Sequence, residues 1–100
     1  MVVISYKTIR DFSEICPEAK TPLDYWYNVT ADADWRSHAE LKTTFPSADF
    51  VGNERYVFNI AGNNYRLIAA VNFKIRTVYI KYIGLHKDYD KVDAANVNRF

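Results

Sequence analysis

One hundred residues, 49% of them apolar and 25% charged, are the size and usage of one globular unit and exclude a disordered or fibrous chain. The formal charge of +1 conceals an asymmetry: residues 1–50 carry five basic against eight acidic side chains, and residues 51–100 eight against four. Cys16, the single cysteine, cannot form an internal disulfide, two histidines leave no zinc-ligand spacing, and no apolar run approaches the ~20 residues that span a bilayer. A cytoplasmic protein without metal, cofactor or membrane contact is expected, organised as one domain over residues 1–93 with a flexible tail over 94–100.

Val2-Val3-Ile4-Ser5 is a β-branched run and predicts a first strand. Ile9, Phe12, Ile15 and Cys16 then recur at helical spacing, so a helix is expected with Thr8 as its N-cap, stopping before Pro17. Thr21-Pro22 starts a second helix over residues 22–31, with Leu23, Trp26, Tyr27 and Thr30 turned inward. Asp34 is the expected cap of a shorter third helix containing Trp35, Ala39 and Leu41 and ending by Phe45-Pro46.

Beyond Pro46 the pattern changes to short β-branched and aromatic runs. Residues 54–60, 65–72 and 77–83 predict three strands, the first two joined by Ala61-Gly62-Asn63-Asn64, where Gly and Asn take positive φ at low cost. The order implies an α+β fold with two to three helices on one face of a mainly antiparallel sheet. The other face is expected to meet water or a ligand, with Arg55, Val57 and Asn59 turned towards it and Tyr56, Phe58 and Ile60 towards the helices. The tail from residue 93 carries too little apolar surface to predict as packed.

Between Arg55 and Lys87 stand Arg55, Arg66, Lys74, Arg76, Lys81 and Lys87 without one Asp or Glu. Such a segment suits a polyanion, or else solvated strand edges and turns. Arg66 interrupts an apolar strand, and a buried guanidinium needs a counterpart: either an acid of the first helix, such as Asp11 or Glu14, or a phosphate. His86 follows Gly84 just past the last strand, where an imidazole can exchange a proton near neutral pH, with Asp88 and Asp90 close in sequence. Tyr89 could stack on a base or steady a phosphate, or serve packing alone. His38 reads as a surface residue. Phosphate-binding glycine loops, nucleophile elbows, H-E-x-x-H and C-x-x-C motifs are absent from the sequence.

The runs Phe45-Pro46-Ser47-Ala48-Asp49, Val51-Gly52-Asn53, Tyr56-Val57-Phe58-Asn59-Ile60, Gly62-Asn63, Tyr65-Arg66-Leu67-Ile68, Asn72-Phe73 and Gly84-x-His86-x-x-Tyr89-Asp90 resemble the HigB-type toxins of bacterial type II toxin–antitoxin systems. The resemblance covers roughly residues 2–93. It implies a RelE-like fold and a metal-independent mRNA endoribonuclease, coupled to the translating ribosome, that leaves 2′,3′-cyclic phosphate and 5′-hydroxyl ends. It also implies neutralisation by a helix-turn-helix antitoxin of the HigA type, with DNA reached only through that complex.

By motif, the strand arginine of that superfamily corresponds to Arg66 and the residue after the last strand's glycine to His86. Many RelE-like relatives carry lysines where this chain has Val57 and Asn59, so a lysine-assisted mechanism does not transfer. On this resemblance His86 is the general acid or base, Arg66 clamps the phosphate, and Tyr89 positions the nucleotide. Arg55, Asn63, Lys74, Arg76, Lys81 and Lys87 then contact RNA. A non-catalytic binding module and a gyrase-targeting toxin are the alternatives on the same architecture.

Overall fold

The computed structural model describes residues 1–98. Its first strand, β1 (Val2–Ile4), is followed by helix α1 (Tyr6–Ile15), a 3-10 turn (Pro17–Ala19), α2 (Lys20–Asp32) and α3 (His38–Thr44). Then come strands β2 (Asp49–Phe50), β3 (Arg55–Ile60), β4 (Tyr65–Asn72) and β5 (Thr77–Leu85), and a single helical turn, α4 (His86–Tyr89). The sheet order is β1-β5-β4-β3-β2, antiparallel throughout except for the parallel pairing of β1 with β5. This is the expected α+β arrangement, and it is consistent with a RelE-like fold.

Several boundaries move for local reasons. Helix α1 begins at Tyr6, so Thr8 is a buried residue of its first turns and Ser5 holds the cap position. Tyr6 gains a partner there: its hydroxyl donates to Asp24 Oδ1 at 2.7 Å and ties α1 to α2. The Lys20 ammonium at 2.6 Å and the Tyr6 hydroxyl hold the Asp24 carboxyl below the usual range. Helix α3 is capped by Ser37, whose Oγ accepts from Glu40 N at 3.3 Å, and not by Asp34. Asp34 instead pairs with Arg76, and Trp35 precedes the helix, buried, donating through Nε1 to Thr44 Oγ1 at 2.9 Å. The two-residue strand β2 was not expected; it is too short for a periodicity to show.

The helices cover one sheet face as expected. Leu23, Trp26 and Thr30 of α2 and Ile9 of α1 are buried, while Tyr27 is half-buried against the same core. Phe58 on β3 meets Trp26 and Phe45 edge-on, with ring centroids 5.4 and 5.3 Å apart. In β5 the alternation fails at one point. Ile68 pairs with Tyr82 but Ala69 with Ile80, so Lys81 is an extra residue in a β-bulge, and Ile80 and Ile83 both reach the core although three residues apart.

The opposite face departs most from expectation. Val57, Ile68 and Tyr82 form a second buried cluster there, covered by Val51, Tyr89, Val92, Ala94 and Val97. The chain after α4 therefore folds back across the sheet, and the notion that residues 94–98 lack the apolar surface to pack is corrected: Ala94 and Val97 supply it. Arg99 and Phe100, the rest of the expected tail, lie outside the described residues. Asn53 Nδ2 donates to Ala95 O at 2.9 Å, and the buried Arg55 guanidinium donates to Val97 O and, at 3.5 Å, to Ala94 O. Arg55→Ala should release this segment while leaving the sheet intact. Hydrogen exchange checks it: the Val92 and Val97 amides should exchange faster, those of β4 unchanged.

Candidate active site

On the outer face the ladder sets three cross-strand rows: Asn59, Arg66 and Gly84; then Val57, Ile68 and Tyr82; then Arg55, Ala70 and Tyr79. The last two rows lie under the C-terminal segment or at its margin. The first row stands next to the turn over residues 61–64, where Ala61 and Gly62 take positive φ. Arg66 is only 8% exposed. Its Nη2 donates to Asn63 Oδ1 at 2.7 Å, and its Nη1 to Tyr65 O at 3.2 Å and Asn63 O at 3.4 Å.

Among the described residues no carboxylate lies within ion-pair distance of Arg66. The alternative of a helix acid is thereby removed. Asp11 pairs with Lys7 and Arg10, and α1 packs on the other side of the sheet, out of reach of a side chain with the parity of Arg66. A largely buried cation surrounded by neutral acceptors is a site that an anion would complete.

Tyr89 closes over this cation, with its ring centroid 6.0 Å from Arg66 Cζ. Burial raises the Tyr89 phenol, the Asp49 and Asp90 carboxylates raise it further, and Arg66 opposes them. The phenol is thus a neutral hydrogen-bond donor at neutral pH and not a base. His86 opens α4; its backbone N–H donates to Asn64 O at 2.9 Å, which pins it to the same turn. Its exposed ring lines a cleft of about 390 Å³ together with Asn63, Asn64, Tyr65, Leu85 and Lys87. Asn63 belongs to both groups, as wall of the His86 cleft and partner of Arg66. One turn therefore joins the imidazole and the guanidinium at one end of the sheet.

Of the other cations between Arg55 and Lys87, only Lys87 lines this cleft. Lys87 is beside His86, and Lys81 sits on the bulge with Nζ 5.7 Å from the Tyr79 ring. Lys74 and Arg76 occupy the β4–β5 turn at the far end, about 20 Å away along six strand residues. Arg76 is committed to Asp34 Oδ1 at 2.7 Å and to the carbonyl of Phe73. Arg55 is committed to the C-terminal segment. His38, on the helix side of the sheet, bonds Tyr56 Oη through Nδ1 at 2.7 Å and takes no part in the cluster. A larger cavity of about 500 Å³ between α2 and the β3–β4 turn is walled by Tyr25, Trp26 and Phe45 and holds no cation. No three His, Cys, Asp or Glu side chains among the described residues are placed to hold a metal ion. Asn59, which pairs with Arg66 across the ladder, carries no signal in the sequence beyond its strand parity.

The sequence of residues 19–92 matches the family described as HigB toxin, RelE-like toxic component of a toxin-antitoxin system. The chain belongs to the HigB toxin family. Among its relatives, the "mRNA interferase toxin HigB" of Escherichia coli (strain K12) and the "mRNA interferase HigB" of Shigella flexneri are each 36% identical over 92 residues. Those matches cover 90% of this chain and 88% of each relative. The "mRNA interferase HigB" of Escherichia coli O6:H1 (strain CFT073) is 32% identical over 94 residues, 92% of this chain and 91% of the relative. Residues 66, 86 and 89 fall within the matched span of this family member. No helix among the described residues is long and apolar enough to cross a membrane.

Proposed function

We propose that this toxin is a cytoplasmic, ribosome-dependent mRNA endoribonuclease whose reaction is carried by Arg66, His86 and Tyr89. The observation that carries the reading is a guanidinium 8% exposed, without a carboxylate among the described residues, tied through Asn63 to the cleft of an exposed imidazole. The relatives' designation as mRNA interferases supplies the substrate class.

In the reaction the RNA 2′-oxygen attacks the adjacent phosphorus and the bond to the 5′-oxygen breaks. The products are a 2′,3′-cyclic phosphate and a 5′-hydroxyl, with water as neither nucleophile nor product. Two proton transfers are required, one from the 2′-hydroxyl and one to the departing 5′-oxygen, and His86 performs one of them. Arg66 faces the phosphate as its charge rises in the transition state, in a setting where water is largely excluded. Tyr89 donates a hydrogen bond or stacks on a base while it covers Arg66. Asn63, Lys81 and Lys87 hold the nearby RNA backbone without reading its sequence, and Lys74 and Arg76, at the far end, meet ribosomal RNA. Arg55 joins them only where the C-terminal segment lifts. Silencing falls to a helix-turn-helix antitoxin of the HigA type, through which alone the toxin meets DNA.

The test is to incubate the purified protein with mRNA, with and without translating ribosomes, and to map the ends. Cleavage that requires ribosomes and leaves 5′-hydroxyl ends is expected. RNA binding without new ends would make the chain a docking module instead.

A further inference from the structure

The cavity of about 500 Å³ beside α2 touches Asn59, Ile60, Ala61 and Gly62 in succession. Neighbouring strand residues point to opposite faces of a sheet, so a hollow that meets both Asn59 and Ile60 runs along the edge of β3. That edge is open. Strand β2 pairs with β3 only at Tyr56 and Val57, and among the described residues no other strand takes the same edge from Phe58 to Ile60. The cavity therefore reaches the outer face at Asn59, the exposed cross-strand partner of Arg66. Adjacent strands lie about 4.7–4.9 Å apart, so its rim is one strand away from Arg66. Gly62 borders this cavity, whereas the next residue, Asn63, borders the His86 cleft and bonds the guanidinium. The β3–β4 turn thus separates two hollows and holds Arg66 between their linings.

The lining decides what the larger hollow can take. Its walls are Tyr25, Trp26 and Phe45, its polar side chains are Thr21 and Asn59, and no charged side chain lines it. Volume and lining suit a small neutral ligand with an apolar face and a hydrogen-bonding edge. A phosphate or a charged peptide side chain would lose its water there without gaining a counter-charge. Tyr25 is 66% exposed and makes no ring contact or hydrogen bond with another described residue. Its face is free to stack, and every nucleobase offers a π-face.

We propose that this cavity is a nucleobase pocket of the RNA site, which takes the base of one nucleotide flanking the scissile phosphate and stacks it on Tyr25 beside Asn59. The proposal rests on the assignment of Arg66 to that phosphate made above. The test uses ribosomes programmed with mRNA that carries either the normal nucleotide or an abasic one at each flanking position. Single-turnover cleavage followed against toxin concentration gives a half-saturating concentration and a limiting rate.

Tyr25→Ala should raise the half-saturating concentration by about 5- to 150-fold, the worth of one stacked base. Its Tm should be unchanged, since the ring is mostly in water. Tyr25→Phe, which keeps the stacking face, should stay within about threefold of the parent. Removing the base at one of the two positions should cost the parent protein as much, and on that abasic mRNA Tyr25→Ala should add nothing. Parent-like values in Tyr25→Ala with Arg66→Ala inactive would overturn the pocket and leave the Arg66 assignment standing. So would a loss that persists undiminished on both abasic mRNAs, or one confined to antitoxin binding, which would make the cavity a protein-docking site. A normal rate in Arg66→Ala would remove the assignment itself.

Discussion

Arg66→Ala should lower single-turnover RNA cleavage by about 10²–10³-fold, the loss seen when one donor to a developing oxyanion is removed. The expectation rests on a buried guanidinium whose protein partners, Asn63 Oδ1 and two carbonyl oxygens, are all neutral. Stability separates this role from a structural one. If Arg66 served a buried ion pair, its loss would orphan a carboxylate at about 3–5 kcal/mol; none lies within ion-pair distance among the described residues. Arg66→Met, which keeps the apolar stem and drops the charge, should therefore be inactive with Tm unchanged or raised. Arg66→Lys retains charge without the planar fork and should fall between. A Tm that collapses in Arg66→Met, with the remaining folded fraction fully active, would return Arg66 to a structural role.

His86→Ala should slow cleavage by about 10²–10⁴-fold, the range for a lost general acid or base. Its ring is exposed on the cleft beside Asn63 and Lys87, and its anchoring to the Asn64 carbonyl is made by the backbone, which alanine keeps. Folding, Tm and antitoxin binding should thus persist while growth arrest on expression is lifted. With Arg66 and His86 serving one transition state as proposed, the double variant should be little slower than the worse single one. Unchanged growth arrest in His86→Ala would take the imidazole out of the reaction. A fall in RNA affinity at an unchanged rate would make it a binding residue.

Much of the scaffold is visible in local pattern. Ile9 and Phe12, or Leu23, Trp26 and Thr30, mark buried helix faces because their spacing places them on one side whatever they meet. Strand β3 is likewise bounded by Gly- and Asn-containing turns, Gly52-Asn53 before it and Gly62-Asn63-Asn64 between it and β4. Departures occur where one residue has two uses. Thr8 and Asp34 have capping chemistry, but Ser5 precedes α1, Ser37 caps α3, and Asp34 is drawn to Arg76, 42 residues away. Lys81 looks like an ordinary alternating residue until the pairing of Tyr82 with Ile68 makes it a bulge.

The site divides along the same line. Amino-acid order alone sets the segregation of charge, the lone guanidinium in an apolar strand and the imidazole after the strand glycine, because these are properties of neighbouring residues. Tertiary structure alone decides that Arg66 faces away from the acids of α1, that the chain beyond α4 covers the sheet and takes Arg55, and that Lys74 and Arg76 sit at the opposite end. Each of these depends on register between strands and on contacts between segments tens of residues apart. Such contacts depend on how the whole chain packs, and no periodicity within a single segment encodes them.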